Sequence, residues 1–190
     1  MTRDCREARE GGFTLVEVII ALGLISVITA SLGVFFSNSI ATSRHQTQLQ
    51  AASRIAGAGM ERARGLGGPA LLAGRAQCGT CASVSSLAGT YLAGTERWDA
   101  PVTAATATVP YTNQPESVTV DGIAYQRYWL VGKCWLAAAG GTCSTNSTLP
   151  IAMVRLVVAV VWSDRSCAAG QCVRAATELF SAVAAEPVFP

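Results

Sequence analysis

The spacing of apolar and polar residues changes twice along this chain. Residues 13–36 read FTLVEVIIALGLISVITASLGVFF, an apolar run whose single charge is Glu17. As a helix rising about 1.5 Å per residue, the run spans about 36 Å, enough to cross a hydrocarbon core of about 30 Å. A polar stretch follows at 37–48. Apolar residues then recur in steps of three and four at Leu49, Ala52, Ile55, Ala56, Met60, Ala63 and Leu66. That spacing predicts a helix burying one stripe, with Arg44, Arg54, Arg62 and Arg64 largely off it. Gly65, Gly67, Gly68 and Pro69 predict its end. Gly23, Gly33, Gly57 and Gly59 each weaken a helix by about 1 kcal/mol relative to Ala, so local bending is expected.

Residues 67–117 are rich in Gly, Ala, Ser and Thr, with prolines at 69, 101, 110 and 115. No strong period runs through them, and only short strands are expected there. From residue 118 the period falls to two. Residues 118–120 and 123–131 flank Asp121-Gly122, a favoured two-residue hairpin turn. Residues 133–142 read as a loop. Val154, Leu156, Val158, Val160 and Trp162 alternate on one strand. Val173, Ala175, Thr177 and Leu179 alternate on the next, with Arg174 and Glu178 expected to face out. The predicted class is α+β: a long N-terminal helix, membrane-spanning and then amphipathic, on a small antiparallel sheet.

Composition adds where the apolar excess sits. The chain is 51% hydrophobic and 14% charged, against about 25% charged in an ordinary soluble domain. The surplus lies near the start. A net charge of +2 is too small to argue for a polyanion, so nucleic acid is not expected as a partner. Seven cysteines point to an oxidising compartment. Cys5 stands alone, and the other six fall as close pairs: Cys78 with Cys81, Cys134 with Cys143, and Cys167 with Cys172. Local disulfide pairing is the simplest reading; reduced thiols or an all-cysteine zinc site are the competing ones.

Catalytic signals are sparse. His45 is the only histidine and reads as a solvated residue. Cys78-Gly79-Thr80-Cys81 has the spacing of thiol oxidoreductases, but it stands in a Ser/Gly/Ala loop without the βαβ unit that activates such a thiol. No nucleotide loop, nucleophile elbow or metal-spaced histidine pair occurs. No catalytic residue, cofactor or metal is expected.

The first residues carry the sharpest signal. Arg3, Arg6 and Arg9 are balanced by Asp4, Glu7 and Glu10, and the polar segment ends in Gly11-Gly12. A secretory signal peptide would have a basic start and a shorter apolar core. A carboxylate in an apolar helix is costly and usually marks function. Glu17 also falls within the first two turns, where free amides and the helix dipole favour negative charge. GGFTLVEVIIAL resembles the class III signal of type IV prepilins and pseudopilins. The resemblance implies cleavage between Gly12 and Phe13 by a prepilin peptidase and N-methylation of Phe13. It makes Glu17 the fifth mature residue, where the family places a glutamate that pairs with a neighbour's terminal ammonium during filament assembly. The leader departs from the family in lacking net positive charge.

The ending, a strand closing on Trp162, a loop, and a strand reading RAATELF, resembles minor pilins that modify or prime pili. The resemblance implies a pilin-like layout: leader 1–12, transmembrane and filament-core helix 13–37, amphipathic helix 38–66, variable αβ loop 67–117, and β-sheet head 118–190. It implies a single-pass cell-membrane protein with its head outside the cytoplasm, later part of a pilus or pseudopilus. The implied partners are other pilin or pseudopilin subunits, the prepilin peptidase, the inner-membrane assembly platform and the membrane. Two other classes stay open: a competence-type pilin whose tip contacts DNA or a surface, and a membrane-anchored thiol oxidoreductase.

Overall fold

Thr14 starts the first element. Its hydroxyl accepts the Glu17 N–H at 3.3 Å and its carbonyl accepts the Val18 N–H at 3.2 Å, so it caps helix α1, Leu15–Leu66. The computed structural model describes residues 14–79, 85–102 and 107–183. The chain falls into two units, 1–44 and 45–190. In the first, every described side chain is exposed. Its hydroxyls nevertheless bond within the helix. Ser26, Thr29, Ser31 and Ser37 each donate to the carbonyl four residues earlier at 2.8–2.9 Å. Such back-bonding leaves few polar groups to be solvated from outside.

The second unit is the head. Its part of α1 buries Ala52, Ile55, Ala56, Gly59, Met60 and Ala63, the stripe that the three-and-four spacing predicts. The sheet contains β1 (Arg75–Gln77), β2 (Glu96–Pro101), β3 (Glu116–Val120), β4 (Ile123–Leu136), β5 (Ile151–Ser163) and β6 (Gln171–Ser181). The strand order is β1-β2-β4-β5-β6, with β3 also on β4, and every pairing is antiparallel. The helix stripe meets Trp129, Val131, Val154, Leu156, Val158, Val160 and Trp162 on one face. Leu130, Val157 and Ala159 form a smaller cluster with Leu92, joined by Leu87 and Tyr91 of α3 (Ser85–Tyr91). The centre of β5 is therefore buried on both faces. Strict alternation describes its residues on the α1 side but not Val157 and Ala159.

Glycines matter in specific places. A Cβ on Gly59 would lie 2.9 Å from Val158 Cγ1, so Gly59 sets how closely α1 approaches the sheet. Gly57 has open space around it. Asp121 and Gly122 adopt φ of 50° and 77°, the two positive angles of a type I′ turn, joining β3 to β4. Gly67, with φ 75°, separates α1 from the short helix α2 (Gly68–Leu72).

Three features differ from the expected pattern. First, β4 continues through Leu136 instead of giving way to a loop at 133. Lys133 stays in the strand because the Trp98 and Trp135 rings each lie 5.2 Å from its Nζ, so a charge interrupts the apolar pattern without ending the pairing. Second, β6 faces opposite to expectation. Register pairs Val160 with Arg174, Val158 with Ala176, Leu156 with Glu178 and Val154 with Phe180. Cross-strand partners share a face, so Arg174 and Glu178 stand on the α1 side. Val173 and Leu179 are left 38% and 40% exposed. Third, the region after α1 hides a charge. Arg75 is buried against Asp99, donates to the Val109 carbonyl at 2.8 Å, and lies 4.8 Å from the Tyr111 ring centre. Burial lowers the pKa of its guanidinium, and Asp99 opposes that shift. Asp99 also accepts the Thr112 N–H at 3.1 Å, so a single ion pair holds three segments together.

A second network ties α1 to the sheet. Trp129 Nε1 and Arg127 Nε each donate to Glu116 Oε2 at 2.8 Å, and Arg62 Nη1 donates to Oε1 at 3.2 Å. Arg62 and Arg127 also lie 5.4 Å from the Trp129 ring centre. Burial acts to raise the Glu116 pKa. The Trp129 and Arg127 hydrogen bonds and the two arginine charges outweigh it and hold the carboxyl below its usual range.

Two predictions follow for a head produced without residues 1–36, both read by urea unfolding. Gly57→Ala should stabilise it by up to about 1 kcal/mol. Gly59→Ala should destabilise it by about 1 kcal/mol or more, because Val158 must move. The same sign for both would mean that Gly59 does not set the helix–sheet distance. The depressed Glu116 pKa gives a second test. Its contribution is complete above the unfolded value of about 4.3 and is lost as pH falls through the lower folded value. Glu116→Gln should flatten that acid limb of stability against pH, and an unchanged limb would remove the role given to this carboxylate.

Candidate functional site

Glu17 is the third residue of α1, one turn from the Thr14 cap. Its backbone N–H is satisfied by the Thr14 hydroxyl, while its side chain is exposed and makes no ion pair among the described residues. The dipole and the free amides of the first turn favour the negative charge there. The surroundings oppose it. Leu15, Val16, Ile19 and Ile20 stand uncovered beside it, Leu15 at 76% exposure. Among the described residues, α1 is the one helix long and apolar enough to cross a membrane. The carboxylate thus stands at the favoured end of the helix but among uncovered apolar side chains.

The residues of the expected cleavage site, Gly12 and Phe13, lie outside the described residues, as do residues 1–11 of the expected leader with Cys5. Thr14 was not singled out by the hydrophobic pattern. The signal for it was present as Thr14-x-x-Glu17, the spacing of a capping box.

Five of the cysteines lie among the described residues of the head. Cys134 and Cys143 form a disulfide with a Cα separation of 5.3 Å, beside a bridge between Trp135 and Ser144. Cys167 and Cys172 form another, with a Cα separation of 5.2 Å, across the turn between β5 and β6. Cys78 is disulfide-bonded. Cys81 lies outside the described residues.

His45 sits against the second of these bonds. Its Nδ1 and Ser166 Oγ are 2.8 Å apart, and Ser166 Oγ donates to Asp164 Oδ1 at 2.6 Å. Hydrogen bonds from the Ser166 hydroxyl and amide hold the Asp164 carboxyl below its ordinary range. One ring nitrogen of His45 and the sulfurs of Cys167 and Cys172 lie within 4.8 Å of one another, the composition of a soft metal site. Both sulfurs are already joined to each other, so His45 is the only one of the three free to ligate. The cluster works as a clasp: Trp162 Nε1 donates to Gln48 Oε1 at 3.0 Å, and His45 holds the turn through Ser166.

Residues 8–33 match the prokaryotic N-terminal methylation motif. Neither curated proteins nor solved structures gave a match to the chain. The matched segment contains Glu17 and runs into the uncovered apolar helix, which marks the chain for membrane anchoring through a single helix. A methylation motif that opens such a helix, followed along the chain by an antiparallel sheet, supports a type IV pilin-like protein with a prepilin-type signal.

Proposed function

We propose that this protein is a minor structural subunit of a type IV pilus or of a type II secretion-like pseudopilus, with a part in priming or assembling the filament. One observation supports the reading: within the segment that matches the methylation motif, a lone carboxylate, Glu17, stands in the first turn of an apolar helix. Prepilin peptidase cuts between Gly12 and Phe13 and methylates the new amine. The helix then waits in the cell membrane, with the head outside the cytoplasm, until the assembly platform moves it into the filament. There the Glu17 carboxylate meets the terminal ammonium of a neighbouring subunit. Both charges are then buried in apolar packing, where each alone is costly and the pair is tolerated. The pair fixes register, and the protein makes and breaks no bonds itself.

Cleavage is read by mass spectrometry of the membrane-extracted protein. The mature chain should begin with methylated Phe13, and Gly12→Leu should leave the precursor uncut. A native start at Met1, or at any residue inside the apolar run, would overturn the assignment.

Glu17→Ala separates a filament subunit from a merely anchored protein. Insertion and cleavage should be unchanged, because in the lone membrane form the carboxylate is dispensable. Incorporation should fall, because the substitution leaves a buried ammonium unpaired, at a cost of about 3–5 kcal/mol. The measurement is the amount of this protein in sheared filaments relative to the membrane pool. Equal ratios for wild type and Glu17→Ala would sink the proposed role.

A further inference from the structure

Six of the head's arginines contrast in how they are partnered. Arg62, Arg64, Arg75 and Arg127 each meet a carboxylate of the head itself. Arg54 and Arg174 make no ion pair or hydrogen bond through their side chains among the described residues, yet the fold brings them to one groove. Arg54 comes from α1 and Arg174 from β6. Leu49, partly buried against the core, Gln46, Gln50 and Ser53 complete the lining, and no acidic residue contributes. Two cations beside amide and hydroxyl groups suit a carboxylate, which a guanidinium fork takes through paired hydrogen bonds.

The groove adjoins an open sheet edge. Among the described residues β6 pairs only with β5, and the register runs unbroken from Met153↔Ser181 to Ser163↔Gln171; Gly68 packs against the Ser181 carbonyl and closes that end of the edge. Strand β6 contains no proline. On such a margin every other residue turns its N–H and C=O away from the sheet, a template for one more strand. Val173 and Leu179 add apolar surface on the opposite face of the same strand.

We propose that this edge and groove receive an extended acidic segment of a neighbouring pilin-like subunit. Its backbone continues the sheet along β6, and a carboxylate sits between Arg54 and Arg174. Strand addition supplies the main-chain hydrogen bonds, and the two arginines set register and choose an acidic partner over a neutral or basic one. The inference rests on the filament reading above and adds where on the head a neighbour is held and by what chemistry.

The test places a photo-crosslinking residue at Gln50 of the full-length chain, made in cells that assemble its filaments. Adducts are mapped by mass spectrometry, and filament incorporation is measured separately. The expected adduct lies on an acidic, extended segment of another subunit. Arg54→Glu with Arg174→Glu should reduce it about tenfold, as expected for two partly exposed ion pairs. Changing the mapped partner acids to arginine should restore it. Protease resistance and disulfide content check that the double variant folds. If it does not, Arg54→Gln with Arg174→Gln reads the same contrast. An adduct that survives loss of both cations, or one found only on lipid or DNA, overturns the inference. So does incorporation into filaments without any adduct, and in all three cases the filament reading stands. Absence of the wild-type chain from filaments removes that reading and this inference together.

Discussion

Everything at the N-terminus depends on the cost of one carboxylate in apolar surroundings. The exposed side chains from Leu15 to Phe36 lose about 25 cal/mol per Å² of apolar surface left in water, so they require lipid or packed protein. Either environment satisfies them about equally, because lipid tails are as apolar as leucine. The backbone is satisfied within α1, and Ser26, Thr29, Ser31 and Ser37 return their hydroxyl protons to it. Thr14 even uses up the Glu17 amide. What remains sensitive to the surroundings is the Glu17 side chain. A membrane offers it headgroups or a proton, whereas the filament proposed above would offer a specific cation.

The head rests on a different constraint, which is proximity. Ala52, Ala56, Gly59 and Ala63 are small where α1 meets the sheet, so the helix backbone comes close enough for Val158 to touch Gly59. The same helix shows large side chains along 15–36, where no protein surface covers them. Around the close contact, charged groups are used in closed sets. Glu116 takes hydrogen bonds from Trp129, Arg127 and Arg62, and Arg75 with Asp99 gathers β1, β2 and the segment at 109–112. Buried charge is tolerable in such sets because nearly every donor and acceptor finds its complement.

How much of this was legible depends on whether the signal was local. The α1 stripe, its end at the glycines, the Asp121-Gly122 turn and the Glu17 position are written in neighbouring residues and were readable. The close cysteine pairs were readable as candidates for the same reason. The face of β6 was not, because both of its faces carry apolar residues and only register against β5 decides between them. Pairing Leu156 with Glu178 and Val160 with Arg174 puts charges beside the helix and leaves Val173 and Leu179 in the open. Arg75 was invisible for another reason. Its partners lie 23 to 35 positions away in a stretch with no period, so nothing nearby distinguishes it from a surface arginine. Gly59 looked like a weak point in a helix until Val158 was seen to occupy the space its side chain would need.

These two constraints meet in the order of the chain. The head's core takes its first member at Leu49, five residues into the second unit, and its buried stripe starts at Ala52. Among the described residues, no side chain of 14–36 is a buried or partly buried member of it. Disulfides at Cys134–Cys143 and Cys167–Cys172 close loops on the head alone. In the filament role proposed above, a subunit that leaves lipid for protein packing needs this division. If residues 15–36 supplied part of the head's core, a change of solvent around the helix would alter the head's stability. With the core beginning at Leu49, the free energy of transfer falls on the apolar helix and Glu17, and the head keeps its folded surface while the helix changes partners.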